Sequence, residues 1–183
     1  MKIVVLAGGL SPERDVSLSS GSLIANALMK SGHDILLADV YEGIKAKEEE
    51  LSDLFITKED NRLFEYHIPD TVPDLEEVVR RNGGRRELIG ENILSICKLA
   101  DVVFIALHGS MGENGELQAV FDCNGISYTG TGYAGGLLAM DKDITKRLLC
   151  YESIPTAPWI TENAAEITAE MIRNTIGFPC VVK

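Results

Sequence analysis

Four stretches of the chain set chemically useful side chains on glycine-rich turns. The first is Gly8-Gly9-Leu10-Ser11-Pro12-Glu13-Arg14-Asp15-Val16-Ser17. Its glycines let a ligand approach the backbone closely, and the Glu13 carboxylate can hold an ammonium group through a charge-assisted hydrogen bond. A plainer reading has Asp15 or Ser17 capping a helix while Glu13 complements its dipole. The second is His108-Gly109-Ser110-Met111-Gly112-Glu113-Asn114-Gly115-Glu116-Leu117-Gln118. An imidazole there can donate to a substrate carboxylate or to developing negative charge, or it can simply tie its own loop together. The third, Ala139-Met140-Asp141-Lys142-Asp143-Ile144-Thr145-Lys146, offers lysines that bind phosphate as point charges. An exposed amphipathic helix start is the alternative. The fourth, Gly177-Phe178-Pro179-Cys180-Val181-Val182-Lys183, carries a lysine suited to a nucleotide cleft or to an edge strand. His33 and His67 read as surface residues. No G-x-G-x-x-G is present, so the dinucleotide fingerprint is absent.

The elements that must carry these turns follow from the apolar pattern. Lys2–Ala7, KIVVLA, reads as a buried parallel strand ending in Gly8-Gly9. Ser17–Lys30 has one apolar face at helical spacing and stops at Gly32. Asp34–Val40 is a second strand, so the chain opens with a strand–helix–strand unit. Residues 41–90 are less regular: a hairpin is predicted from Phe55–Thr57 and Leu63–Tyr66, a short helix over Asp74–Arg81 and a turn at Gly83–Arg86, the whole forming a surface insertion. Beyond it come a helix over Glu91–Leu99, a strand over Val102–Leu107, a helix over Leu117–Cys123 and a short strand over Ile126–Thr129. Gly130-Thr131-Gly132 leads into a helix through Met140, followed by helices over Asp143–Tyr151 and Glu166–Arg173 and a strand beginning at Cys180. This alternation predicts an α/β fold: an open, mainly parallel sheet with helices on both faces. The first two chemical loops then lie at the carboxyl ends of strands, where such sheets bind ligands.

Bulk properties exclude several classes. The chain has 183 residues, 45% of them hydrophobic, room for one domain with a sizeable core plus part of another. Its net charge of -11 argues against nucleic-acid partners and against anionic lipid surfaces. No apolar run approaches the ~20 residues needed to span a bilayer, and Met1–Leu10 lacks the cleavage pattern of a signal peptide. The four cysteines, Cys97, Cys123, Cys150 and Cys180, form no C-x-x-C pair, so buried free thiols of a cytoplasmic protein are expected rather than a zinc site or disulfides. A strand that stops at Lys183 also reads as a chain cut inside a domain.

Taken in order and spacing, the four stretches resemble the D-alanine–D-alanine ligase family. The resemblance rests on the glycine pair, serine, glutamate and Val16-Ser17-Leu18 of the first. It rests equally on His108-Gly109 through Gln118, on Tyr128-Thr129-Gly130, and on Met140-Asp141-Lys142 with Lys146. Ile154–Pro158 and Phe178–Lys183 extend it, and only 41–90 is uncharacteristic. The resemblance implies an amino-terminal, Rossmann-like pre-ATP-grasp domain over 1–140, with 41–90 inserted, and the beginning of a small α+β ATP-grasp central domain over 141–183. It implies ATP-dependent joining of two D-alanines through an acyl phosphate for peptidoglycan synthesis, with Mg2+ or Mn2+ held by residues beyond 183, and an incomplete, inactive site in these 183 residues. By the same resemblance Glu13 would hold the ammonium of the first D-alanine, Val16 would touch its methyl group and His108 would lie near its carboxylate. Ser17 and Gly109 would neighbour the site, and Lys142 and Lys183 would bind ATP. A cytoplasmic homodimer is implied for the whole enzyme. A D-alanine–D-lactate or D-alanine–D-serine ligase would share these motifs, and a non-catalytic ligand-binding α/β domain is the reading from another class.

Overall fold

The computed structural model describes residues 1–60 and 62–182. The chain divides into two compact units, Met1–Leu137 and Leu138–Lys183. In the first unit, strands β1 (Lys2–Ala7), β2 (Asp34–Asp39) and β3 (Val102–Ile105) form a parallel sheet in the order β2-β1-β3. β1 takes the centre because it is apolar along its whole length: Ile3 to Ala7 are all buried, as a strand covered on both faces must be. Val5 stands opposite Leu37 on one side and Phe104 on the other. The crossover helix α1 (Arg14–Lys30) covers one face, where Ala25 and Met29 meet Ile3, Val5, Ile35 and Ala106. Helices α3 (Ile93–Leu99) and α4 (Glu116–Asn124) contribute Ile93, Ile96, Leu117 and Phe121 to a second cluster with Val4, Leu6 and Val103. Alternate β1 residues therefore enter different clusters, and the helices lie on both faces as the strand–helix alternation predicts. α1 approaches the sheet closely at Gly21, where a Cβ would stand 2.7 Å from the Ala7 Cβ.

Residues 41–90 are mostly exposed, as a surface segment would be, but a few apolar side chains anchor them in the interior. Tyr41 and Leu51 are fully buried, and Phe55 and Val78 join the interior. The segment returns to the point it left. Gly90 donates from its N–H to the Val40 carbonyl at 2.7 Å, and Ile44 to that of Glu91 at 2.9 Å. The backbones of Gly43 and Gly90 are so close that a Cβ on either would lie 2.6 Å from the other strand of chain. The predicted hairpin does not form. Ile56 instead bridges Ile35 on the edge strand β2, antiparallel, with both hydrogen bonds at 2.8 Å. Phe64 pairs with the Asn26 side chain on α1, at 2.8 and 2.9 Å. Each half found a better surface than the other half offered. The short helix α2 (Leu75–Arg81) is present, capped by the Asp74 carboxylate.

Other expectations shift by a few residues. α1 begins at Arg14 rather than Ser17, with Glu13 at its N-cap. The strand expected over Ile126–Thr129 reduces to a single parallel bridge between Tyr128 and Val103. The division between units falls within α5 (Tyr133–Met140). The second unit holds α6 (Lys142–Tyr151), capped by Asp141, and α7 (Ala169–Thr175), capped by Thr168. Residues 180–182 form no strand. All four cysteines are free, but only Cys97 is buried, and burial pushes its thiol up to about 12. Cys123 and Cys150 are exposed, since they fall on the outward faces of α4 and α6. Among the described residues no helix is long and apolar enough to cross a membrane.

Candidate active site

At the carboxyl ends of β1 and β3, two loops face each other over the start of α1. Gly8 and Gly9 turn the chain out of β1 with φ of 72° and 81°. A side chain at Gly8 would collide with the Asp39 carboxylate, so glycine is required there on both counts. Ser17 closes the turn from below. Its hydroxyl, fully buried, accepts from the Gly8 N–H at 2.9 Å and donates to the Ala106 carbonyl at 2.7 Å. One side chain thus fixes the exits of both β1 and β3.

Arg14 fixes the same loop laterally. Its guanidinium, 4% exposed as a residue, donates to the Gly9 carbonyl at 2.9 Å, to Asp39 at 2.9 Å and to Glu42 at 3.1 Å. Asp39 also accepts from the backbone N–H groups of Gly9, Tyr41 and Glu42, at 3.2, 2.9 and 3.1 Å. Arg81 pairs with Glu42 from the far side. The buried charge is therefore matched on every side, the condition under which a buried ion pair is tolerated. Asp15, one residue on, accepts from the Tyr66 hydroxyl at 2.5 Å. Burial, with that carboxylate alongside, pushes the Tyr66 phenol up to about 12.

Of the residues singled out by sequence, Glu13, Ser17, His108 and Gly109 come together here. Glu13 is exposed, and its side chain makes no capping hydrogen bond, so the carboxylate at the positive end of α1 stays available to a ligand. It leans over Gly109, whose φ is 67°; a Cβ there would meet Glu13 Oε2 at 2.9 Å and Ser11 Oγ at 3.1 Å. Val16 lies on the first turn of α1 and is 46% exposed. His108 does not tie its own loop: its Nε2 lies 3.1 Å from the Ser20 hydroxyl on α1. A small cleft beside these residues is lined by Gly9, Ser11, Val40, Leu107, His108 and Met111. His108 lines this cleft, while the Glu13 carboxylate stands beside it over Gly109; an imidazole and a carboxylate so placed can take oppositely charged groups. Sequence reasoning passed over Arg14, Asp39 and Ser20. Only Ser20 left a signal, its helical spacing from Val16.

In the second unit, Lys142 opens α6 and is exposed, with its ammonium donating to the Ala139 carbonyl at 2.6 Å. A lysine held by one carbonyl at the surface fits a phosphate contact. Lys146 is used structurally, donating to the Ala157 carbonyl at 2.7 Å and lying 5.3 Å from the centre of the Trp159 ring. Lys183 lies outside the described residues. Among the described residues no cluster of three His, Cys, Asp or Glu could hold a metal ion.

A parallel α/β unit with helices on both faces and polar loops converging at the strand ends places this unit in the Rossmann-like class. Residues 2–131 match the family described as "D-ala D-ala ligase N-terminus", and the chain belongs to that family. It is similar to the D-alanine–D-alanine ligase of Pediococcus pentosaceus, 43% identical over 187 residues that take in 100% of this chain and 52% of that protein. The ligase of Lacticaseibacillus casei is 42% identical over 158 residues, 86% of this chain and 44% of that protein. The fold is shared with the crystal structure of the D-alanine–D-alanine ligase from Bacillus anthracis, at a TM-score of 0.58 and 23% identity, over 95% of this chain and 42% of that one. The chain spans about half the length of the curated relatives it matches. The match over residues 2–131 takes in 41–90, the stretch without recognisable family character in the sequence.

Proposed function

We propose that this chain supplies the first-substrate domain of an ATP-dependent D-alanine–D-alanine ligase, and that Leu138 onward begins the ATP-binding central domain. The observation that carries the reading is the uncapped Glu13 carboxylate set over Gly109 beside His108, within the matched family region. In this reading Glu13 accepts from the ammonium of the first D-alanine, Val16 meets its methyl group and His108 faces its carboxylate. Ser17 and Gly109 hold the two loops at the spacing the amino acid requires. Lys142, with Lys183, meets the phosphates of ATP. ATP with Mg2+ supplies the phosphoryl group that turns a carboxylate, a poor electrophile, into one that a second D-alanine amine can attack. The whole enzyme acts in the cytoplasm as a homodimer, without nucleic-acid or membrane partners.

The test is phosphate release from ATP by the full-length gene product with D-alanine, L-alanine, or D-alanine plus D-lactate or D-serine. Release that requires D-alanine and yields D-alanyl-D-alanine is the expected outcome. Mixed ester or D-alanyl-D-serine products move the reading to the depsipeptide- and serine-forming ligases. No release with any D-amino acid overturns it. Glu13→Gln, which keeps size and removes charge, should raise KM for D-alanine at least tenfold while leaving KM for ATP within twofold.

A further inference from the structure

Ser20 stands on α1, one turn beyond Val16, and faces His108 across the cleft loops. Its hydroxyl has one proton and two nearby carbonyl acceptors, Val16 at 2.9 Å and Ser17 at 3.2 Å. Back-bonding of this kind is the usual fate of a helical serine. With its proton directed to its own helix, the oxygen has only lone pairs left for His108 Nε2, 3.1 Å away. For that contact to be a hydrogen bond, Nε2 must carry the proton. Nε2 is thus the ring nitrogen that Ser20 engages.

From this geometry we propose that Ser20 is a positioning residue that holds His108 with its proton on Nε2 and leaves Nδ1 as the nitrogen offered to the substrate. The inference rests on the functional reading for its consequence, not for its geometry. In the neutral ring Nδ1 is an acceptor and cannot donate to a carboxylate; the imidazolium carries N–H groups on both nitrogens and can. His108 then keeps its bond to Ser20 in both states and changes only the face it turns to the ligand. Contact of Nδ1 with the carboxylate of the first amino acid requires the charged ring, so at a pH where the free ring is neutral substrate binding takes up a proton there.

The test uses the full-length gene product with 15N-labelled histidine, the His108 signals being assigned by their loss in His108→Gln. Wild type should show a predominantly Nε2–H ring at high pH and, on adding D-alanine, a shift of both nitrogens toward the imidazolium pattern. Ser20→Ala, a substitution that favours the helix, should mix the two tautomers and raise KM for D-alanine about three- to tenfold, the scale of one lost hydrogen bond, with KM for ATP unchanged. Ser20→Thr, which keeps the hydroxyl, should restore both. Unchanged nitrogen shifts in Ser20→Ala overturn the proposal. Altered shifts with an unmoved KM for D-alanine overturn its bearing on catalysis and leave the ligase reading standing. A wild-type protein that lacks ligase activity but shows the Ser20-dependent tautomer overturns the functional reading alone.

Discussion

Arg14 reaches Asp39 with side chains 5% and 11% exposed, whereas Arg147 reaches Asp143 at 70% and 24%. The contact distances are similar, 2.9 and 2.6 Å, yet the two pairs have different meanings. At the surface, water and salt screen the charges and each ion loses little when parted. In the interior, the ions have given up hydration, and each depends on the other and on the backbone groups around it. Asp39 shows the dependence: one carboxylate satisfies Arg14, the Gly9 N–H of the loop after β1 and the Tyr41 and Glu42 N–H groups after β2. Asp143 holds a surface turn together, bonding Arg147, Trp159 and Thr161. The buried pair thus sets the shape of the candidate active site, and the exposed pair only trims the second unit.

Substitution at the two pairs can break this comparison. Arg14→Met strands the Asp39 charge and should cost about 3–5 kcal/mol, the range for removing one partner of a buried pair, read as a shift of the urea midpoint. A loss as small as that of Arg147→Ala would mean that the cluster is wetter than its exposure indicates. Next in size is Ser17→Ala, which leaves the Gly8 N–H and the Ala106 carbonyl without their partner and should cost about 1–3 kcal/mol. Gly21→Ala tests steric rather than polar closeness on the same helix. Pressed against Ala7, it should cost about 1–3 kcal/mol by overpacking, although alanine favours a helix.

Alkaline titration sharpens the comparison at the edge of the buried cluster. The Tyr66 phenol is raised from 10.0 to about 12, so the fold favours its neutral form. The stability this contributes is fully present below pH 10 and is lost as pH rises from there through about 12. Tyr66→Phe should flatten that alkaline loss, as followed by circular dichroism between those limits. The smallest effect belongs to the exposed pair. Arg147→Ala should leave the unfolding midpoint unmoved. The hydrogen bond from Arg147 leads the causes that lower the Asp143 carboxyl, so its carboxyl NMR titration should move back toward the ordinary value.

Much of this architecture was legible in one dimension. The unbroken apolar run of β1, the apolar face of α1 and the glycines after β1 are local patterns, and local patterns survive translation into structure because strand and helix periods act over a few residues. For that reason Glu13, His108 and Gly109 could be marked as residues of strand-end loops without any coordinates. The hairpin over residues 55–66 failed for a reason of the opposite kind. Its two halves had the right composition for each other, but β2 and α1, distant in sequence, offered pairing and burial that the hairpin could not match.

By itself, then, the sequence determined the fold class, the family and the loops that could meet a substrate. Only the tertiary structure decided what holds those loops. Arg14 bonds across 25 and 28 residues to Asp39 and Glu42, Ser17 across 89 to Ala106, and His108 across 88 to Ser20. No periodicity encodes such partners. They are chosen by which strand ends the parallel sheet brings side by side, and by the cost of leaving a buried polar group without a bond.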